Sequence, residues 1–139
     1  WFKRAYRNGS AAGADLPYSA GWAVGSWFVP FLNLVRPVRI FRAVWQASDP
    51  TVDHGVSGAW RLASLSKLIT PWWIAWWTAN VIGRVASAQL KSDNPDTVLG
   101  GLHTLVAGDA IEIVAAVLLV VLVRQLTARQ STRMAAVLA

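Results

Sequence analysis

The sequence predicts an all-α integral membrane protein, a helical bundle that forms one domain over residues 1–139. Hydrophobic residues make up 55% of the chain and charged residues only 14%, against roughly 25% charged in soluble domains. Several of the nine tryptophans lie at the ends of apolar runs, where an indole is stable between headgroups and acyl chains. Two apolar runs with few charges are each long enough to cross about 30 Å of hydrocarbon.

These two runs are neighbours in the sequence and are the clear transmembrane helices. The first comprises residues 68–90, with Pro71 suited to its first helical turn, and the second comprises residues 98–123. The stretch KSDNPDT between them is rich in turn-forming residues, so we expect an antiparallel hairpin. Within the first run, WWIAWW at 72–77 predicts an aromatic belt with packing contacts, or else a groove for a lipid or isoprenoid.

A third apolar stretch, residues 16–35, carries no charge but contains prolines, glycines and an asparagine. Pro30 removes a backbone donor and bends a helix, which leaves a carbonyl that Asn33 can satisfy. The length of the stretch favours a full crossing of the membrane. Re-entry would instead keep the basic residues before and after it on one side, in line with the positive-inside rule. The sequence leaves insertion by either route open.

Three stretches with a helical period carry apolar residues on one face and basic or polar residues on the other: residues 1–8, 37–48 and 58–69. Each is predicted to lie as an amphipathic helix in the membrane interface. The expected lipid contacts around the second stretch are Arg36, Arg39, Arg42 and Trp45. Anchoring is the simplest role for these stretches. Selective recognition of an anionic lipid is the alternative, since each surface cation contributes about 1 kcal/mol.

The charge of the chain indicates its partners and its orientation. A net charge of +6 would suit nucleic acid, but the lysines and arginines flank apolar segments instead of covering a soluble surface. Anionic lipid headgroups are therefore the expected partners, and nucleic acid is not. Eleven of the thirteen basic residues can be cytoplasmic if the hairpin turn points outward, which predicts a multi-pass protein of the cell membrane with cytoplasmic basic flanks.

Five polar residues lie within the two predicted transmembrane helices: Asn80, Arg84, His103, Asp109 and Glu112. A carboxylate at that depth costs at least about 2.5 kcal/mol unless it is paired, neutralised or hydrated. The hairpin register and the N-terminal lean of helical side chains bring Arg84 to about the level of Asp109, which predicts an ion pair. The alternatives are a proton or ion path through His103, Asp109 and Glu112, protonated carboxyls, or pairing with a further helix.

The evidence for an enzyme is poor. The chain lacks cysteine, which excludes disulfides, thiol catalysis and cysteine-rich zinc sites. The sequence shows no spacing typical of a nucleophile, metal or phosphate loop, and its two histidines lie at depths too different to hold a haem. Asp49, Asp53 and His54 could touch a metal, but an exposed acidic loop is the simpler interpretation. We expect no catalytic residue, no metal and no cofactor.

Several motifs resemble those of a known family: WFKRAYRN at 1–8, GWAVGSWFVPFLNLVRP at 21–37, VWQASDP at 44–50 and the tryptophans at 72 and 73. They are similar to the small multi-pass bacterial membrane proteins of DUF4328, domain of unknown function 4328. The residues that fit its motif are Trp1, Arg4, Asn8, Trp22, Trp27, Pro30, Asn33, Leu34, Pro37 and Trp45. The resemblance implies a membrane domain without an established activity, usually preceded by one more transmembrane helix that this chain would lack.

These observations favour a structural or adaptor-like membrane module that interacts with lipid. It would present a basic, aromatic collar to anionic headgroups, to another membrane protein or to a second copy of itself. The alternative is a subunit of a transporter or channel that uses Asp109 and Glu112. Because the chain starts at Trp1 without an initiator methionine, we expect it to be part of a longer protein.

Overall fold

The computed structural model describes residues 1–11, 13–52, 56 and 58–138. Within these ranges the protein is all-helical and contains no strand. The α-helices are α1 (Phe2–Ala11), α2 (Trp22–Gly25), α3 (Arg36–Ala47), α4 (Ile69–Gln89) and α5 (Pro95–Leu138). They belong to two compact units. Unit 1 comprises Trp1–Ser66 with Val123–Ala139, and unit 2 comprises Lys67–Leu122.

The helices α1 and α3 of unit 1 form where the amphipathic patterns predict them. They approach closely at Gly9, where an added Cβ would lie 3.6 Å from the Cβ of Ala47. The buried hydroxyl of Tyr6 donates a hydrogen bond to the carbonyl oxygen of Tyr18 and accepts one from its backbone N–H at 3.0 Å. These bonds attach the segment after α1 back to that helix.

The helix α3 is buried more deeply than a helix that lies in the interface. Its buried residues include the predicted apolar face and extend well beyond it: Pro37, Val38, Ile40, Phe41, Ala43, Val44, Trp45 and Ala47. Arg39 remains exposed, and Arg36 and Arg42 are half-buried. The helix therefore packs as a central element of unit 1 and leaves only a narrow basic face outside.

Residues 16–35 form no helix long enough to cross a membrane. They contain the short α2, several turns and a 3-10 turn at Leu32–Leu34. Phe31 has a positive φ of 63°, a value that a right-handed helix cannot contain, so no continuous helix runs through this position. A full helical crossing is therefore absent from this segment, and the depth at which it meets the membrane stays a prediction.

The helix predicted for residues 58–69 is not formed. Of the described residues in this stretch before α4, only Ala59–Leu62 are helical, as a single 3-10 turn. The side-chain amide of Gln46 donates to the carbonyl oxygens of Arg61 and Ala63, at 2.9 and 2.8 Å. Because Gln46 supplies hydrogen bonds to this backbone from outside, the segment does not depend on helical bonds of its own.

In unit 2, α4 and the N-terminal part of α5 pack antiparallel and are joined by a turn at residues 90–94. Gly108 lies against Ile82, and a Cβ added to Gly108 would come within 2.9 Å of Ile82 Cγ2. Nearer the turn, a Cβ added to Gly101 would lie 3.2 Å from the backbone nitrogen of Leu90. Glycine at both positions lets the two helix backbones approach closely.

The helix α5 starts with capping signals and runs well past its predicted end. Asn94 Oδ1 accepts a hydrogen bond from the backbone N–H of Asp96 at 2.9 Å, and Pro95 occupies the first helical position. The helix then continues to Leu138, because residues 124–136 contain mostly good helix formers. The end of the apolar run is therefore not the end of the helix.

Among the described residues, one helix is long and apolar enough to cross a membrane. It is Pro95–Ala136, whose most apolar window has a mean hydropathy of 2.5. The neighbouring α4 has 21 residues, but its four tryptophans, Asn80 and Arg84 reduce its mean hydropathy. The case for α4 as a second span rests on its length and its packing against α5.

Candidate functional site

An open groove of about 720 Å³ lies between α4 and α5 in unit 2. It brings together four of the five polar residues predicted for the transmembrane helices. Asn80 and Arg84 line it from α4, and Asp109 and Glu112 line it from α5. His103 also belongs to α5 but is not part of the groove wall. The polar cluster is therefore a surface of unit 2 that excludes the histidine.

The charges of this groove are segregated by helix. The cations Arg84 and Lys91 come from α4, and the carboxylates Asp109 and Glu112 come from α5. All four side chains are exposed, and in the part of the chain that the structure describes no ion pair joins them. Arg84 and Asp109 share the groove without a salt bridge, so their pairing stays a prediction.

The neutral polar side chains of the groove bond to their own helix. Asn80 Nδ2 donates to the carbonyl oxygen of Trp76 at 2.8 Å, and Ser87 Oγ donates to that of Gly83 at 2.8 Å. The Asn80 amide has one further N–H and an oxygen, and the Ser87 oxygen can accept. Both residues therefore keep hydrogen-bonding capacity for a molecule in the groove.

The tryptophan run of α4 forms a set of packed rings. Trp73 stacks on Trp76 with ring centroids 5.0 Å apart, and Trp77 meets Trp76 edge-on at 5.5 Å. Trp72 is buried, whereas the other three are half-buried. Ring packing thus accounts for part of the run, and its contact with lipid stays a prediction.

Unit 1 contains a second polar cluster, which we call the polar junction: Ser48, Asp49, Arg129, Gln130 and Arg133. Its central contact is an ion pair in which Arg129 Nη2 lies 2.5 Å from Asp49 Oδ2. The other carboxylate oxygen of Asp49 accepts hydrogen bonds from the backbone N–H and the hydroxyl of Thr51, at 3.0 and 2.7 Å. Both oxygens of Asp49 are therefore bonded.

The environment of Asp49 favours its ionised form. Burial alone would raise the pKa of Asp49, but the hydrogen bonds from Thr51 and the charge of Arg129 outweigh burial and lower the pKa below 3.8. The carboxylate is consequently charged at neutral pH, and the ion pair with Arg129 is fully formed there.

Arg133 and Gln130 bond the end of α5 to α3 and α1. Arg133 Nη1 donates to the carbonyl oxygens of Ala47 and Asp49, each at 3.0 Å. Gln130 Nε2 donates to the carbonyl oxygen of Ala5 at 2.9 Å. The arginine satisfies carbonyls at the C-terminal end of α3 and puts a cation at the negative end of its dipole.

The predicted lipid contacts around α3 differ in accessibility. Trp45 is only 3% exposed, and the guanidinium carbon of Arg129 lies 4.8 Å from its ring centroid. Trp45 therefore packs inside unit 1 against a cation and does not lie at the surface. The three arginines remain exposed or half-buried: Arg36, Arg39 and Arg42.

The residues of the predicted family motif occupy three places in unit 1. Trp1, Arg4 and Asn8 line a cleft of about 480 Å³ between α1 and the end of α5. Arg36 covers the ring of Trp22, with 4.4 Å between the guanidinium carbon and the ring centroid. The remaining residues lie in the segment that leads into α3 or within α3 itself: Trp27, Pro30, Asn33 and Leu34 before the helix, and Pro37 and Trp45 in it.

Comparison with protein families shows where this chain belongs. The family described as Domain of unknown function (DUF4328) matches residues 1–128. The chain belongs to this family. No curated protein and no solved structure matches the chain. In this DUF4328 protein the match includes all of α1 to α4 and the groove, and it ends immediately before Arg129.

The sequence pattern does not indicate the polar junction of this DUF4328 protein. An exposed acidic loop is the predicted position of Asp49, but Asp49 is 8% exposed and paired with Arg129. Asp53 and His54, the other residues of that loop, lie outside the described residues. A signal was present in the helical spacing of the buried residues of α5, which reaches both arginines: Leu122, Leu126, Arg129 and Arg133.

Proposed function

We propose that the protein is a structural or adaptor-like membrane module that the α4–α5 hairpin holds in the bilayer. One observation carries this proposal. Only 17% of the most apolar window of α5 is buried inside the fold. The core helix of a soluble protein directs its apolar residues inward, so an apolar helix that remains uncovered fits a lipid environment better.

The size of the exposed apolar surface supports this proposal. Val106, Ile113 and Val117 on α5 are 68%, 65% and 58% exposed. Full burial of such a side chain is worth about 1.5–3 kcal/mol relative to exposure in water. Soluble monomers rarely leave a continuous apolar surface uncovered, and acyl chains would cover it.

The proposal includes a second crossing by α4. A helix of 21 residues is about 31 Å long, close to the thickness of the hydrocarbon core. Ile74, Val81 and Val85 are exposed on α4 and would face acyl chains. The tryptophans lie near its N-terminal end, where indoles would meet headgroups. The chain would then be a multi-pass protein.

The distribution of charge favours one orientation. Lys3, Arg7 and Arg39 are exposed on unit 1, and the positive-inside rule assigns such residues to the cytoplasmic face. Anionic headgroups at that face would provide the counter-charge for a chain with a net charge of +6. Phe28 and Phe31, which are 80% and 82% exposed, would insert into the same leaflet without a full crossing.

Single-cysteine labelling tests this topology, because the chain has no native cysteine. Asp93→Cys, in the exposed turn of the hairpin, should react with an impermeant maleimide added to intact cells. Ser131→Cys and Ser10→Cys, both at exposed positions, should react only after permeabilisation. Reaction of Asp93→Cys and Ser131→Cys from the same side would overturn the two-crossing hairpin, and external labelling of Ser10→Cys would overturn re-entry of residues 16–35.

A transporter or channel subunit is the second candidate function. It is favoured by the position of Asp109 and Glu112 in a groove between the two proposed membrane helices, since intramembrane carboxylates often mark ion paths. Flux of protons or alkali cations into proteoliposomes distinguishes the two functions. If Asp109→Asn abolishes such a flux without a change in thermal stability, the transport function replaces the structural proposal. If vesicles contain inserted protein but show no flux, the structural proposal is supported.

A further inference from the structure

We propose that a second copy of this chain fills the groove of unit 2, so that two α4–α5 hairpins form a two-fold symmetric dimer. The inference rests on the proposed membrane function, because lipid is the environment in which the charges of the groove need partners. The partner of the structural or adaptor module would be a second copy of the same chain.

In the described part of the chain, the charges that line the groove from α4 and α5 form no ion pairs. Arg84 and Asp109 lie on opposite walls of the groove and, in the described part of the chain, no ion pair joins them. Water screens such charges at the surface of a soluble protein, whereas the hydrocarbon core of a bilayer does not. A molecule that fills the groove therefore has to match a cation on α4 and an anion on α5.

The register of α4 against α5 sets the relative depth of these charges. Gly108 lies beside Ile82 and Gly101 beside Leu90, which fixes how the antiparallel helices are aligned. In this alignment Arg84 lies within about one turn of the level of Asp109. A two-fold axis along the membrane normal keeps every residue at its own depth and sets α4 of one copy opposite α5 of the other. Each Arg84 would then face the Asp109 of the partner copy.

Other occupants would match the charges of the groove less well than a second copy. A lipid phosphate or a metal ion carries one sign of charge and would leave one wall of the groove unmatched. A second copy carries both signs at the same depths, segregated on two helices in the same manner. An isologous interface uses one surface twice, so this arrangement of charge is complementary to itself.

The groove also has room for the close approach of a second helix at Gly83. Gly83 lines the groove between Asn80 and Arg84, and a Cβ added to it would meet no atom within 4 Å. The backbone of α4 is thus open to close approach at this point, as in other membrane helix contacts that use small residues. Asn80 and Ser87 would add hydrogen bonds across the interface.

Charge-reversed variants of the full chain in detergent micelles provide the main test. Arg84→Glu makes the facing positions acidic, Asp109→Lys makes them basic, and each variant alone should dimerise at least about tenfold more weakly than the wild-type chain. An equimolar mixture should dimerise again, because both contacts are then restored between copies. Analytical ultracentrifugation or energy transfer between labelled copies measures this. Failure of the mixture to recover would overturn the proposal in favour of pairing within one chain.

Two glycine variants keep the test valid if a charge reversal prevents folding. Gly83→Leu should block the dimer and leave the monomer intact, since a Cβ added at this position meets no atom of its surroundings within 4 Å. Gly100→Leu is the matched control, because its surroundings are equally open and it lies outside the groove wall. Equal dimerisation of these two variants would overturn the proposal.

The labelling pattern of Asp93→Cys separates a failure of this inference from a failure of the proposed function. A chain that labels as a two-crossing hairpin but stays monomeric contradicts only the dimer. A chain that labels otherwise contradicts the membrane topology, and with it the reason why the groove needs a partner.

Discussion

Arg129 lies 2.5 Å from the carboxylate of Asp49 and, with the same guanidinium, 4.8 Å from the ring centroid of Trp45. One side chain of α5 thus contacts both α3 and a residue two positions after the C-terminal end of α3. Because Asp49 is 8% exposed, loss of this cation would leave a buried carboxylate that water cannot fully solvate.

Replacement of Arg129 by leucine should reduce the free energy of unfolding by about 1.5–3 kcal/mol, the usual contribution of a hydrogen bond to a charged group. Thermal unfolding in detergent measures the effect. Arg124→Leu is the control, because Arg124 is exposed on the same helix. The double variant Asp49→Leu with Arg129→Leu should recover part of the loss. A loss equal to that of Arg124→Leu would show that the pair contributes little.

The stability of the fold should depend on pH through Asp49. Its pKa is lowered on folding, so its contribution is present above 3.8 and is lost as the pH falls through the lower folded value. Wild-type protein should therefore lose more stability than Asp49→Asn between about pH 6 and pH 2, since asparagine has no charge to lose. Unfolding curves that shift in parallel for the two proteins would contradict this assignment.

Gly108→Leu should destabilise the hairpin, because a Cβ at this position already comes within 2.9 Å of Ile82. Overpacking of this kind typically costs about 1–3 kcal/mol. Gly100→Leu lies in the same helix with open surroundings and serves as the control. Thermal unfolding in detergent should rank Gly108→Leu below Gly100→Leu, and the opposite order would place the contact between α4 and α5 elsewhere.

Tyr6→Phe should lower stability, because its hydroxyl both donates to and accepts from the backbone of Tyr18. Burial raises the pKa of Tyr6 above 10.0, so the hydroxyl keeps its proton at neutral pH. The expected loss is about 1–3 kcal/mol, the penalty for leaving buried partners without hydrogen bonds. Tyr18→Phe is the control, since it preserves the backbone groups that Tyr6 uses. Equal losses would show that the hydroxyl of Tyr6 contributes no more to stability than the hydroxyl of Tyr18.

The helices that the sequence predicts well are those whose pattern is local. The apolar and basic residues of α1 and α3 alternate with a helical period. The turn before α5 is predicted by the turn-forming residues of KSDNPDT. The period of residues 58–69 is similar, but Gln46 binds that backbone from another helix. The sequence of residues 58–69 alone therefore cannot predict this contact with Gln46.

The polar residues also differ in whether local sequence predicts their position. Four polar residues of the groove follow from helix register, because one hairpin brings them together. The polar junction joins Asp49 to Arg129, two residues that are far apart in the sequence. Because both side chains are charged, the sequence predicts that solvent or lipid headgroups surround them. Their burial depends on how α5 packs against α3, which hydrophobic periodicity up to Val123 does not specify.

The continuation of α5 beyond the apolar run determines where the chain can be truncated without loss of contacts in unit 1. The family match stops at residue 128, one position before the side chains that donate to Asp49, Ala47 and Ala5. A chain shortened to residues 1–128 would keep α4 and the apolar run of α5 but lose Arg129, Gln130 and Arg133. Its α3 would end in unsatisfied carbonyls beside a buried carboxylate. The folding unit is therefore longer than the range that the family matches, and expression boundaries should extend at least to Arg133.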